Sequence, residues 1–287
     1  MNNDKKIVVV GSLHYDIVVE SPHRPEKGET VLGIRWFPKF GGKGGNQALA
    51  AAQAGCNVTM VSAIGEDEFG KFIFAKLKEH NINTNFIQKK SVSSGMSVAI
   101  MDDEGDYGAV VVSGANLAIE ESKLAEGNLW DDAKILILQN EVTEKINICA
   151  AKQANLRQIP VCINAAPARL LSTELIQLID ILIVNSIEAR DMSNIEVNDL
   201  ESALCAALKL SKTYKQVIVT AGGAGVAYAN QSEQGIVPAI KVELVSTHGA
   251  GDCFVGYLCA SLIQGNSLKS AVEYANLKAA QHVSGKL

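Results

Sequence analysis

The chain has 287 residues, 47% hydrophobic and 20% charged, with a formal net charge of -5 at pH 7: enough apolar material for one large core with a small appendage, and no cation excess to meet a nucleic acid or an anionic membrane surface, so neither is expected as a partner. The longest apolar runs are too short to cross a bilayer, and "MNNDKKIVVVGS" passes from a brief apolar stretch straight into a turn, without the pattern of a secretory signal. Cys56, Cys149, Cys162, Cys205, Cys253 and Cys259 lie among apolar residues with no C-x-x-C or Cys/His ligand spacing, so a cytoplasmic protein with buried, reduced thiols and no structural metal is expected.

"KIVVVGS" (6–12) is a continuous apolar run ending in small residues, the pattern of a strand buried on both faces. Residues 13–40 follow with strand-like "DIVVE" and "ETVLGIRWFPKF" about "SPHRPEKG" and no helix. In "FGGKGGNQALAAAQAG" (40–55) the glycines let backbone N–H groups approach a ligand, Asn46 can cap a helix over 43–54, and Gly55 can end it. A turn into a packed helix accounts for the glycines and alanines but not for Lys43, which points to a ligand. The next strand is "VTMVSAIG" (58–65), followed by a helix over 67–80. Their junction "GEDEFGKF" nearly matches a phosphate-binding P-loop. Phe72, however, stands where a Mg²⁺-binding hydroxyl is needed and Glu66 and Asp67 repel phosphate, so a P-loop is rejected. Residues 94–113 give two strands about the turn "DDEGD". With residues 13–40 they form a small β lid, leaving 1–12, 41–93 and 114–287 as the α/β core.

From "KILILQN" (134–140) onward, strands "PVCINAA" (160–166), "DILIVN" (180–185) and "QVIVTAG" (216–222) alternate with helices over 143–157 and 199–213, and helices over 250–264 and 267–283 close the chain. The alternation predicts a mainly parallel sheet flanked by helices, with ligands beyond the carboxyl ends of the strands. Two segments there carry chemistry. Asn185 and Glu188 have the spacing of a helix-capping pair, which spacing alone favours, or of groups organising waters around Mg²⁺. In "VSTHGAGDCFVGYLCASLIQG" (245–265), Gly249, Ala250 and Gly251 open a helix whose bare amides suit an anion. Asp252 in that first turn is either a favourable N-terminal acid or the group that takes the proton of an attacking hydroxyl during phosphoryl transfer.

"GGKGGNQALAAAQAG" and "STHGAGDCFVGYLCASL" resemble the two signature motifs of the PfkB-type carbohydrate kinases, nearest to the ribokinase type. "VVVGSLHYDIVVE", "KGETV", "QNEV", "NAAPAR", "VNSIEA" and "TAGGAGV" continue the likeness, in order, over almost the whole chain. The resemblance implies a ribokinase-like α/β three-layer sandwich with a β-sheet lid, and an ATP- and Mg²⁺-dependent kinase acting on ribose or a related pentose or ketose. By motif, Asp16, Gly42, Lys43, Asn46 and Glu141 would line the sugar, Asp252 would be the general base, and Gly249, Ala250 and Gly251 would complete its anion hole. Asn185 and Glu188 match the N-x-x-E motif associated with Mg²⁺ through water and with phosphate, which reverses the preference for a cap. Thr220, Gly222 and Gly225 resemble the nucleotide loop, and Asn276 falls where a residue flanks adenine.

Departures from the family's pattern carry expectations of their own. His14 stands where G-S-x-N-x-D has an Asn that contacts the sugar. Ser246 stands where an Asp usually helps bind a monovalent cation, and its lack of charge argues against potassium activation. Relatives continue past "QHVSGKL" through a loop and helix that complete the cation site and border the adenine pocket. The alternatives are a nucleoside kinase, with Trp36, Phe37 and Tyr15 as an apolar shelf for a base, and a non-catalytic sugar- or nucleotide-binding protein. The apolar stretch "VLGIRWF" (31–37) suggests a homodimer through the lid.

Overall fold

The computed structural model describes residues 5–102 and 107–287. All of the turn "DDEGD" beyond Asp102 lies outside the described residues, as do residues 1–4. The strands are β1 (Lys6–Val10), β2 (His14–Glu20), β3 (Arg35–Gly41), β4 (Asn57–Gly65), β5 (Asn83–Lys90), β6 (Met96–Met101), β7 (Tyr107–Val112), β8 (Ala133–Gln139), β9 (Val161–Asn164), β10 (Ile181–Asn185), β11 (Gln216–Thr220), β12 (Gly225–Asn230) and β13 (Gln234–Pro238). The helices are α1 (Lys43–Gln53), α2 (Glu68–Glu79), the single turn α3 (Gly127–Trp130), α4 (Glu144–Asn155), the single turn α5 (Thr173–Ile176), α6 (Ser186–Ser193), α7 (Leu200–Leu210), α8 (Ala250–Ile263) and α9 (Leu268–Val283).

Nine strands form one sheet in the order β13-β12-β11-β10-β9-β8-β1-β4-β5, all running in one direction except β12, which is antiparallel to both of its neighbours. The continuous apolar runs explain why both of its faces are covered. Side chains alternate along a strand, so Val8, Val10, Leu136 and Leu138 enter one core, against α4 and α7. Ile7, Val9, Ile135 and Ile137 enter the other, against α1, α8 and α9. The expected α/β fold with a mainly parallel sheet is present, with shorter strands than the sequence suggested: 161–164 for 160–166, and 216–220 for 216–222. Cys56, Cys162, Cys253 and Cys259 are buried thiols, but Cys149 is half-buried and Cys205 is exposed on α7, a correction to the expectation that all six lie inside.

A second sheet of four strands, ordered β3-β2-β6-β7, stands beside the first. It is mixed, since β2 pairs antiparallel with β3 but parallel with β6. The register puts His14 and Asp16 on one face of β2, with Lys39 and Ser97 as the cross-strand partners of Asp16. Tyr15 lies on the opposite face and stacks on Phe69 of α2 at 4.1 Å, with Phe72 edge-on at 4.9 Å. Tyr15 thus fastens the small sheet to the main body. That use removes it from the aromatic shelf a nucleoside would need; Phe37 shares the face of Asp16, and Trp36 does not.

The segment that resembled a P-loop is closed by its own chain. Asp67 caps α2, accepting the Gly70 N–H at 2.7 Å and both the hydroxyl and the N–H of Ser94, at 2.6 and 2.8 Å. A carboxylate occupies the helix terminus that a phosphate would need.

Candidate active site

The carboxyl ends of β1, β8, β9, β10 and β11 converge on one edge of the main sheet, and helices α1 and α8 begin there. Gly42, with φ of 85°, turns the chain into α1 and is its N-cap. A Cβ there would lie 2.8 Å from both the Leu13 Cα and the His14 nitrogen, so shape and conformation both require glycine. Helix α1 therefore starts at Lys43, and Asn46 is not its cap, contrary to the sequence reading. The first turn is anchored instead to the end of β1: the Gly45 N–H donates to the Ser12 carbonyl at 2.9 Å. Glu141 seals the helix terminus by accepting the Lys43 N–H at 2.9 Å and the Ser12 hydroxyl at 2.5 Å. An acid at this position gains roughly 0.3–1 kcal/mol from the helix dipole.

Asn46 is instead free to face α8, where its Nδ2 donates to Asp252 Oδ2 at 3.1 Å. Gln47 Nε2 donates to the other carboxylate oxygen at 3.0 Å. Gln47 is itself fixed by an amide relay: it donates to Asn164 Oδ1 at 3.2 Å and accepts from Gln139 Nε2 at 2.8 Å. Sequence reasoning missed Gln47, Gln139 and Asn164. The signal for the last two was available, since each is a polar residue ending an apolar run at the carboxyl end of a strand.

Asp252 is only 7% exposed, in the first turn of α8 behind Gly249, whose φ is 77°. Burial raises its carboxyl above the ordinary value; Lys43, Asn46 and Gln47 oppose the shift, and Glu141 adds to it. The charge of Lys43 also acts on Glu188, working to lower its carboxyl as it does that of Asp252. The space before Gly251 is open, with nothing within 4 Å of an added Cβ. Ala250 differs from expectation: its N–H donates to the Thr247 carbonyl at 3.2 Å, which takes it out of the anion-binding set in this conformation.

Asp16 is buried, accepts the Ser97 hydroxyl at 2.6 Å, and has His248 Nε2 3.6 Å from its Oδ2. Burial works to raise its carboxyl, but Ser97 and the imidazoles of His248 and His14 outweigh that and hold it below its usual value. Burial also lowers Lys39, its cross-strand neighbour, against the pull of Asp16. Asn116 clamps the start of the strand through the Leu13 N–H and carbonyl, both at 2.9 Å. His248, Ser97 and Asn116 were not found from the sequence.

Asn185 and Glu188 form a complete capping box. Asn185 Oδ1 accepts the Glu188 N–H at 2.9 Å, while Glu188 accepts the Asn185 N–H at 2.8 Å and its Nδ2 at 3.0 Å. Glu188 is buried, and that burial raises its carboxyl despite Asn185 and Lys43. Asn185 pairs in register with Thr220, and the tight turn Gly222–Ala224 follows, with no atom within 4 Å of a Cβ built on Gly222. Gly225 closes the turn where its carbonyl accepts the Ala221 N–H at 2.7 Å. Asn276 lies apart from these groups: it is buried on α9 and donates to the Pro238 carbonyl at 2.9 Å, tying α9 to the end of β13.

The site therefore joins a buried carboxylate at a helix terminus, a lysine, and an open glycine turn on the same sheet edge. The model of the pfkB family carbohydrate kinases matches residues 4–286. The chain belongs to that family. Among pfkB carbohydrate kinases it is 34% identical to the ribokinase of Bacillus subtilis over 280 residues, covering 97% of this chain and 93% of that one. It is 30% identical to the deoxyribokinase of Salmonella typhi, covering 98% and 93%. The structure of Arabidopsis thaliana ribokinase complexed with ribose and ATP superposes with a TM-score of 0.87 at 29% identity, covering 96% of this chain and 92% of that one. These likenesses bear out the sequence reading of an ATP-dependent carbohydrate kinase of ribokinase type on a ribokinase-like fold. No described helix is long and apolar enough to cross a membrane.

Proposed function

We propose that this kinase transfers the γ-phosphoryl group of ATP to a hydroxyl of ribose or a related pentose or ketose, with Asp252 as general base. The supporting observation is the Asp252 carboxylate, buried at the start of α8 and gripped by two amides from α1. In this reading Asp252 accepts the proton of the acceptor hydroxyl as its oxygen attacks the γ-phosphorus and the bond to the ADP oxygen breaks. The amides of Gly249, Gly251 and Asp252, joined by that of Ala250 when its turn opens, and the Lys43 ammonium meet the charge on the transferring group. His14, Asp16, Gly42, Lys43, Asn46 and Glu141 line the acceptor. Asn185, Thr220, Gly222 and Gly225 line the nucleotide, with Asn276 supporting the wall behind it. The four-stranded sheet, from 13–40 and 94–113, serves as the lid over the sugar.

Mg²⁺ fits this site through water rather than by direct ligation. Both Glu188 oxygens and the Asn185 oxygen already hold capping bonds, and no described cluster of three or more His, Cys, Asp or Glu could hold a metal ion. A magnesium ion needs little more than this, since it keeps several waters and binds chiefly to substrate phosphates, whose charge it neutralises.

The test is ADP release with Mg-ATP across pentoses, ketohexoses, pentitols and nucleosides, with and without potassium. Turnover with a pentose or ketose, unchanged by potassium because Ser246 carries no charge, is the expected result. Binding of sugar or ATP with no turnover of any acceptor would overturn the kinase reading in favour of a binding protein.

A homodimer through the small sheet is a second proposal. Ile34, Trp36 and Val110 are 62%, 63% and 69% exposed on and beside it. Large apolar side chains left exposed on both edge strands, β3 and β7, favour covering by a second copy. Light scattering at micromolar concentration should give twice the monomer mass, and Trp36→Lys should halve it; a monomeric wild type ends the idea.

A further inference from the structure

We infer that His248 determines acceptor specificity, forming with Asp16 a paired reader of one sugar hydroxyl. The inference rests on the sugar-kinase reading above. Asp16 and His14 share one face of β2, while His248 reaches Asp16 from the loop that leads into α8. The ring of His248 is partly exposed, but its Nε2 is buried and has no hydrogen-bond partner among the described residues. The same holds for Nε2 of His14, a residue only 3% exposed. Interior polar atoms are normally paired, so an unpaired imidazole nitrogen 3.6 Å from a buried carboxylate marks a place where a ligand supplies the partner.

The separation of His248 Nε2 from Asp16 Oδ2, 3.6 Å, is too long for a hydrogen bond between them. It suits a bridging hydroxyl: an oxygen about 2.8 Å from each atom forms a triangle on that base, donating to the carboxylate and accepting from the imidazole. A hydroxyl does both at once, whereas a C–H satisfies neither group. The side chain is also held in place for this task. The His248 carbonyl accepts from His282 Nε2 at 2.9 Å, and its N–H donates to the Ser246 hydroxyl at 3.3 Å. The Val245 and Ser246 N–H groups both donate to the Val283 carbonyl, at 2.8 and 3.2 Å. The end of α9 thereby fixes the loop at His248 and just before it, and Ser97 fixes the carboxylate opposite. Lys39 on β3 completes the charged groups facing Asp16.

A site built to hydrogen-bond a hydroxyl rejects the analogue that lacks it, because its own polar groups are then left unpaired. Removing His248 opens the cleft so that water can reach Asp16, and the penalty for a missing hydroxyl shrinks. The experiment is calorimetric titration of the full chain, without nucleotide, with ribose, 2-deoxyribose and 3-deoxyribose, for wild type, His248→Ala and His248→Gln. One deoxy sugar should bind wild type about 100-fold or more weakly than ribose, a ratio that falls below about tenfold in His248→Ala. His248→Gln, whose amide restores a donor, should recover part of the ratio. A ratio unchanged in His248→Ala, or all three sugars weakened in parallel, overturns the inference while leaving the kinase reading intact. A wild type that binds none of the three overturns both.

Discussion

Asp252→Asn should lower kcat by about 10²–10⁴, the usual worth of a positioned general base, while sugar affinity stays within a few-fold. On the barrier this is roughly 3–5 kcal/mol. The substitution keeps shape and removes the proton acceptor. It leaves an NH₂ facing one of the two amides that now donate to the carboxylate, so calorimetric sugar binding is the control for a distorted site. The pH profile adds a second readout. Burial raises the Asp252 carboxyl, and the base works only when ionised, so activity should climb with pH through that raised value, with an acid limb above where a free aspartate, near 3.9, would set it. The same shift carries a sign for stability. Burial favours the protonated acid, so this group's contribution is full below its unfolded pKa and is lost as pH rises through the folded one. Retention of wild-type kcat by Asp252→Asn would remove Asp252 as the base.

The motifs were legible because glycine runs and helix openings are local in sequence; the network that aims them was not. Asp252 is held by Asn46 and Gln47, some 200 positions away, and Gln47 by Gln139 and Asn164. The polar end of an apolar run marks Gln139 and Asn164 one at a time, but only the parallel alignment of β8 and β9 shows that they meet. The misreading of Asn46 has a related cause. Lys43-Gly44-Gly45 is a poor helix opening by propensity, each glycine costing about 1 kcal/mol against alanine, which makes Asn46 look like the natural cap. Contacts with Ser12 and Glu141 override that cost, so the helix runs from Lys43 and Asn46, one turn inside it, faces Asp252 rather than capping the helix. The edge strands β5, "NTNFIQKK", and β13, "QGIVP", escaped notice for a different reason. Each is half-exposed, so neither shows the continuous apolar run that betrayed the central strands. At Asn185 and Glu188, the spacing favoured a cap and the family resemblance a metal and phosphate role. The capping box is formed, while the metal and phosphate role belongs to the proposed function, in which the box would hold the buried carboxylate in place.

Gly256→Ala should damage stability and turnover together, although the residue touches no substrate. Helix α8 crosses α1 there so closely that a Cβ would lie 2.5 Å from Ala50 Cβ, 2.6 Å from the Gln47 carbonyl oxygen and 2.8 Å from the Ala51 nitrogen. Two of those three atoms are backbone, which cannot rotate aside, so the helices must separate. Overpacking of this kind costs about 1–3 kcal/mol, which in a chain this size lowers Tm by about 2–4 °C per kcal/mol. The same separation pulls Asn46 and Gln47 away from Asp252, since α1 carries the amides and α8 the carboxylate. A misplacement near 1 Å at reacting groups is worth about 10²-fold, and kcat should fall by that order while the KM for ATP changes little. Ala50→Gly in the same chain removes one of the three clashes and should restore part of both losses, because the Gln47 and Ala51 contacts remain. A Gly256→Ala protein with wild-type Tm and kcat would mean that α1 and α8 can part without moving the base, and that the small residues along α1 serve packing alone.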